Sequence, residues 1–151
     1  MTGRVFFYVQ HLLGIGHLRR AATLARAMAA GGFDVLLVSG GAPIDGLALG
    51  GVRFHQLPPL RAANAGLKDL VQLDGTPLDD AFRAERARQL VDLFETERPN
   101  VLMTEQFPFG RTQLRFEIRW DDAPLDHALA VDGVDEHRSI LVSDRADESG
   151  D

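Results

Sequence analysis

The sequence predicts an α/β fold, a Rossmann-like parallel sheet flanked by helices, and three observations carry that prediction. RVFFYV (residues 4–9) and DVLLVSGG (34–41) are short apolar runs of the kind found in strands buried on both faces. Between them Leu18, Ala21, Ala22, Ala25, Met28 and Ala29 recur at three- and four-residue steps, the spacing of one helical face. Strand, glycine turn, helix and strand in about 36 residues fit a right-handed parallel βαβ unit.

The elements follow in order. Gly31 and Gly32 stop the first helix, since glycine accepts a left-handed cap. VRFHQL (52–57) reads as a third strand, ended by Pro58 and Pro59, which lack a ladder donor. Residues 60–75 are weakly patterned and read as a loop with a helical turn around Leu67 to Leu73. Thr76 as cap, Pro77 at the first position and Asp79 three residues on signpost the next helix. In that helix Leu78, Ala81, Phe82, Ala87, Leu90, Val91 and Phe94 are expected to face inward, and the arginines and glutamates to face water. Pro99 ends the helix, and NVLMTE supplies a strand at 101–104 before the proline-fixed turn FPFGR.

From Arg119 the character changes. Residues 1–116 carry 13 basic and 11 acidic side chains, whereas residues 117–151 carry 3 basic and 11 acidic. The expected division is a domain over 1–118 and an acidic, poorly ordered tail over 119–151, with one short strand at Ile140 to Val142 and one apolar run from Leu125 to Val131. A net charge of −6 and a pI near 5.3 argue against nucleic acid as partner, because a phosphate footprint needs clustered positive charge. The absence of cysteine excludes disulfides, thiolate metal sites and a cysteine nucleophile. VFFYV is too short for a secretory segment or a membrane span, so a cytoplasmic protein with no transmembrane segment is expected. Leu12 and Leu13 beside Arg19 and Arg20 are a thin signal for peripheral membrane contact, and a buried loop anchor is the simpler reading.

The segment QHLLGIGHLRR (10–20) links a strand to a helix, where free N–H groups and the helix dipole favour anions. Gly14 and Gly16 would let a phosphate approach the backbone, with Arg19 nearby to meet its charge. The dinucleotide fingerprint is absent: its third glycine would fall at Arg19, and no acidic residue ends the second strand. No GxxxxGK[ST] occurs, so a P-loop nucleotidase is excluded and no cofactor is expected. His17, directly after the glycines, is a candidate general base. Glu105, at the end of the 101–104 strand, could accept a proton or orient His17, and Arg111 could hold phosphate or carboxylate bidentately. Phe107 and Phe109 read as packing residues. Histidine spacing suggests no metal site.

RVFFYVQHLLGIGHLRRAATLARAM, LVSGG and TEQFPFGRTQLRFE together resemble the N-terminal half of a group of bacterial predicted glycosyltransferases. These are similar to the enzyme that adds N-acetylglucosamine to the lipid-linked peptidoglycan precursor. The resemblance runs from Arg4 to Glu117 and implies a GT-B architecture of two Rossmann-like domains without an obligatory metal. It implies an acceptor-holding N-terminal domain, a nucleotide-sugar donor held by the other domain, and an acceptor hydroxyl as nucleophile. It further implies that Gly14, Gly16 and His17 line the cleft and that His17 or Glu105 deprotonates the acceptor. One domain of the expected two is accounted for, so the chain is expected to be truncated and inactive alone. Otherwise it is one subunit of a split transferase whose partner polypeptide supplies the donor domain. A phosphate- or nucleotide-binding Rossmann module without chemistry is the reading from another class.

Overall fold

A computed structural model describes residues 3–66, 69–105, 127–131 and 140–144. Strand β1 (Arg4–Val9), helix α1 (Gly16–Ala30) and strand β2 (Asp34–Ser39) form the expected βαβ unit, with β1 and β2 parallel from Arg4↔Asp34 to Val9↔Ser39. β3 (Arg53–Gln56) lies parallel to β2 on the outside. β6 (Val101–Glu105) pairs parallel with the other side of β1, after the short strands β4 (Leu60–Ala62) and β5 (Leu70–Gln72) and the helix α2 (Asp80–Glu97). The sheet order is β3-β2-β1-β6, continued by β7 (His127–Val131), parallel to β6, and β8 (Ile140–Asp144), antiparallel to β7. β7 and β8 overlap the two apolar segments that stand out in the acidic C-terminal stretch.

Strand alternation divides the core into two layers. Val5, Phe7, Val9, Val35, Leu37 and Met103 pack with Leu18, Ala21, Ala22 and Ala25 of α1. Phe6, Tyr8, Leu36, Val38 and Leu102 pack on the other face with Leu90 and Phe94 of α2. Phe6 and Phe94 meet edge to face with ring centroids 5.2 Å apart. Both faces of the central strands are thus covered, which explains their unbroken apolar runs. Gly32, at φ 95°, supplies the left-handed residue after α1.

Three local expectations change. Residues 60–62 and 70–72 form an antiparallel pair instead of a helical turn, with Leu60 and Ala62 buried against Leu12. Strands of three residues are too short to show an alternation. The cap of α2 is Asp79, whose side chain accepts from Phe82 N at 2.7 Å; Thr76 is engaged in a turn, its N–H bonded to Asp74. On α2 itself Ala81 is exposed, while Arg86 is among the most buried side chains.

At the N-terminal edge of the sheet Arg53 bonds both Asp34 and Glu97, and Arg4 bonds the Glu97 carbonyl and Asn100. Glu97 foremost, and Asp34, hold the Arg53 guanidinium above its ordinary pKa. These groups are partly exposed, so solvent screens the ion pairs and they contribute modestly.

Candidate functional site

The parallel strands β1, β2 and β6 all end at one edge, at Val9, Ser39 and Glu105, and polar residues collect there. Gln10 and His11 follow β1, Gly40 and Gly41 follow β2, and Thr104 and Glu105 close β6. The loop from Gln10 then climbs to α1, which starts at Gly16 with Ile15 as a cap that makes no side-chain hydrogen bond. No acidic residue stands in the first turn, so its N–H groups keep their attraction for an anion.

His17 and Glu105 meet here: His17 Nδ1 lies 3.3 Å from Glu105 Oε1, the carboxylate side chain wholly buried and the imidazole 24% exposed. Arg20 donates to the same oxygen through Nε at 2.6 Å and through Nη2. Arg20 Nη2 also lies 3.4 Å from His17 Nδ1. A cation beside Nδ1 favours a lone pair there, whereas the carboxylate favours a proton. The two contacts call for opposite tautomers: a proton on Nδ1 that is donated to Glu105 leaves Nε2 with its lone pair, whereas a lone pair on Nδ1 that accepts from Arg20 puts the proton on Nε2.

Gly14 and Gly16 lie exposed, and a Cβ added at either would meet no atom within 4 Å. Neither has a positive φ among the described residues. Packing and backbone strain therefore do not demand glycine at these positions, while close approach by a ligand would. Arg19 is exposed and its side chain makes no hydrogen bond among the described residues; its neighbour Arg20, which the sequence left aside, is the arginine that meets Glu105. Arg111, Phe107 and Phe109 lie outside the described residues. Leu12 is buried against Leu60 and Ala62, as a loop anchor would be, while Leu13 is exposed.

Sequence reasoning missed a second layer beneath this edge. Arg86 reaches from α2 to donate to Gln10 Oε1, Tyr8 Oη and the carbonyls of Pro58 and Gly40. One signal was available: Phe82, Arg86, Leu90 and Phe94 follow at four-residue steps, so the arginine stands within an apolar stripe. Gln56 adds a side-chain amide that donates to Ser39, Gly41 and Leu57 carbonyls.

Several buried polar atoms at this edge have no hydrogen-bond partner of normal geometry among the described residues: both ring nitrogens of His11, Ser39 Oγ, Thr104 Oγ1 and Glu105 Oε2. Each such group costs about 1–3 kcal/mol unless water or a ligand meets it. Burial holds the His11 imidazole below its ordinary pKa; the Ala42 backbone acts the other way and the His17 charge adds to the lowering. A histidine kept neutral in the folded state binds its proton more readily when unfolded. Stability is therefore full above the ordinary value of 6.5 and declines as pH falls from there toward the folded value. The melting temperature of the wild type should fall more between about pH 7.5 and about pH 5.5 than that of His11→Gln. Equal slopes would remove His11 from the acid sensitivity.

Fold and site together define a Rossmann-type α/β unit with a polar, histidine-bearing edge at the strand C-termini, where parallel sheets bind ligands. The chain has a glycosyltransferase-like fold. It is similar to the crystal structure of CalG4, the calicheamicin glycosyltransferase, with a TM-score of 0.53 and 14% sequence identity over 87% of its own length. It spans 32% of that structure's chain, and at this identity the likeness is one of fold. No protein-family model matches the chain, and no curated protein does. Among the described residues no helix is long and apolar enough to cross a membrane, and no group of three or more His, Cys, Asp or Glu is placed to hold a metal.

Proposed function

We propose that the chain is the acceptor-side half of a GT-B glycosyltransferase related to the peptidoglycan-precursor N-acetylglucosaminyltransferases. The observation that carries this reading is the pairing of a partly exposed His17, in the first turn of α1, with a buried Glu105 on a sheet edge whose fold matches part of a glycosyltransferase. In this mechanism His17 Nε2 takes the proton of the acceptor hydroxyl as its oxygen attacks the anomeric carbon of a nucleotide-sugar. The bond from that carbon to the diphosphate breaks, and the diphosphate leaves with the electron pair. Glu105 stabilises the imidazolium, and the first N–H groups of α1 with Gly14 and Gly16 accommodate developing negative charge. A second Rossmann-like unit, supplied by another polypeptide in the split-enzyme form of the proposal, holds the nucleoside and sugar, while the diphosphate also meets the α1 N-terminus, so that the chain alone retains weak, saturable binding of diphosphates through that contact.

The open space at Gly14 and Gly16 favours one further reading, a phosphate-binding module without chemistry. Calorimetric titration of the chain, His17→Ala and Glu105→Ala with nucleotide-sugars and free nucleoside diphosphates separates the two. The transferase reading expects saturable binding weakened about tenfold in both variants, or about 1.4 kcal/mol. Binding indifferent to both substitutions supports the module. No binding by the folded wild type would sink both readings for the chain alone.

A further inference from the structure

We propose that Arg86 and Gln10 act as a positioning pair, through which helix α2 sets the placement of His17. The functional importance of that placement rests on the reading of His17 as a base. Arg86 and Gln10 are each 1% exposed, and a guanidinium carried so far from water must do something its hydrogen bonds can explain. Its partners come from separate segments that reach the same sheet edge. Tyr8 and Gln10 lie at the end of β1, Gly40 follows β2, and Pro58 lies between β3 and β4.

Gln10 is the link toward the site. Its Oε1 accepts from Arg86 and from the Tyr8 hydroxyl, which fixes the orientation of the amide. The Nε2 of that amide then donates to the His11 carbonyl at 2.9 Å. His11 opens the loop that runs through Gly14 to Gly16 and His17, and Ala62 N holds the same loop through the Leu12 carbonyl at 3.0 Å. One end of the loop is thus fastened to α2 through a side-chain chain of hydrogen bonds, and its other end becomes the first turn of α1. Gly14 and Gly16 have open space beside them, so the loop's middle supplies little packing of its own. The conformation that brings His17 Nδ1 within 3.3 Å of Glu105 depends on how its base is held.

Arg86→Lys and Gln10→Met test this in the full chain. Neither replacement changes a charge. A lysine cannot reproduce the fork that faces Pro58 and Gln10 together, and methionine removes the three amide hydrogen bonds to Arg86, Tyr8 and His11 at similar volume. The readout is the set of NMR resonances of the His17 imidazole ring at constant pH, assigned by their loss in His17→Ala, alongside circular dichroism and a thermal melt. Both variants should keep the far-ultraviolet spectrum and a cooperative melt, while the His17 ring resonances move and their cross-peaks to the Glu105 and Arg20 side chains weaken as the distances change. Unmoved His17 ring resonances in either folded variant would overturn the proposal. Failure of both variants to fold would also overturn it, leaving Arg86 as a staple of the core. Ligand binding is not needed for this result: moved ring resonances in a chain that binds no nucleotide would retain the positioning pair and remove the transferase reading.

Discussion

Gly40→Ala is expected to lower the melting temperature by about 10 °C, corresponding to a loss of about 3 kcal/mol at this chain length. A Cβ at this position would run into Arg86 Nη2 and Gln10 Oε1. Overpacking alone costs about 1–3 kcal/mol, and hydrogen bonds to a charged group contribute about 1.5–3 kcal/mol each when they are displaced. Neither side chain has an easy retreat, because Gln10 is bound to His11 and Arg86 to Pro58. Gly51→Ala is the control, since a Cβ there meets nothing within 4 Å, and its effect should stay within about 0.5 kcal/mol. A Gly40→Ala protein that melts with the wild type would show that Arg86 can swing aside without loss.

Arg20→Ala should destabilise the chain more than Glu105→Gln, although Arg20 is the more exposed partner. Glu105 is wholly buried at the side chain and Arg20 is 39% exposed. Removing the arginine leaves the buried carboxylate with the His17 contact as its remaining charged partner, and loss of one partner of a fully buried pair costs about 3–5 kcal/mol. Partial access of water to the site reduces the expectation to about 2–3 kcal/mol. Glu105→Gln leaves Arg20 able to turn to solvent and should cost about 1 kcal/mol. The double variant should therefore be more stable than Arg20→Ala alone. Urea midpoints at constant m-value measure this, and strictly additive losses would show that the two groups are not coupled.

The parts of the fold legible in the sequence are those where burial alone chooses the residues. β1 and β2 are covered on both faces, so RVFFYV and DVLLVS announce themselves, and the stripe from Leu18 to Ala25 marks the side of α1 that covers them. β4 and β5 were invisible because Leu60, Ala62 and Val71 are too few to set a period, and their burial depends on Leu12 from a distant segment. His17, directly after the glycines at a helix start, and Glu105, at the end of a strand, are both legible in the sequence, but the distance between them is not. Arg20 and Arg86 were passed over for the same physical reason. A charge suggests solvent until its partners are known, and those partners lie 85 positions away for Arg20 and 76 for Arg86 and Gln10.

The two ends of the sheet are secured by different kinds of chemistry, and this bears on how the molecule could be altered. Arg53, Asp34, Glu97, Arg4 and Asn100 bind the strand starts together from the outside, far along the strands from His17. Changes to Leu13, Gly14 or Ile15 leave those contacts in place. The same partition guides engineering: thermal hardening belongs at the Arg53 end, and changes to the polar edge around His17 belong in the loop before α1. Tolerance for variation is thereby built in where recognition would evolve, since diversification of that loop need not loosen the opposite end of the sheet.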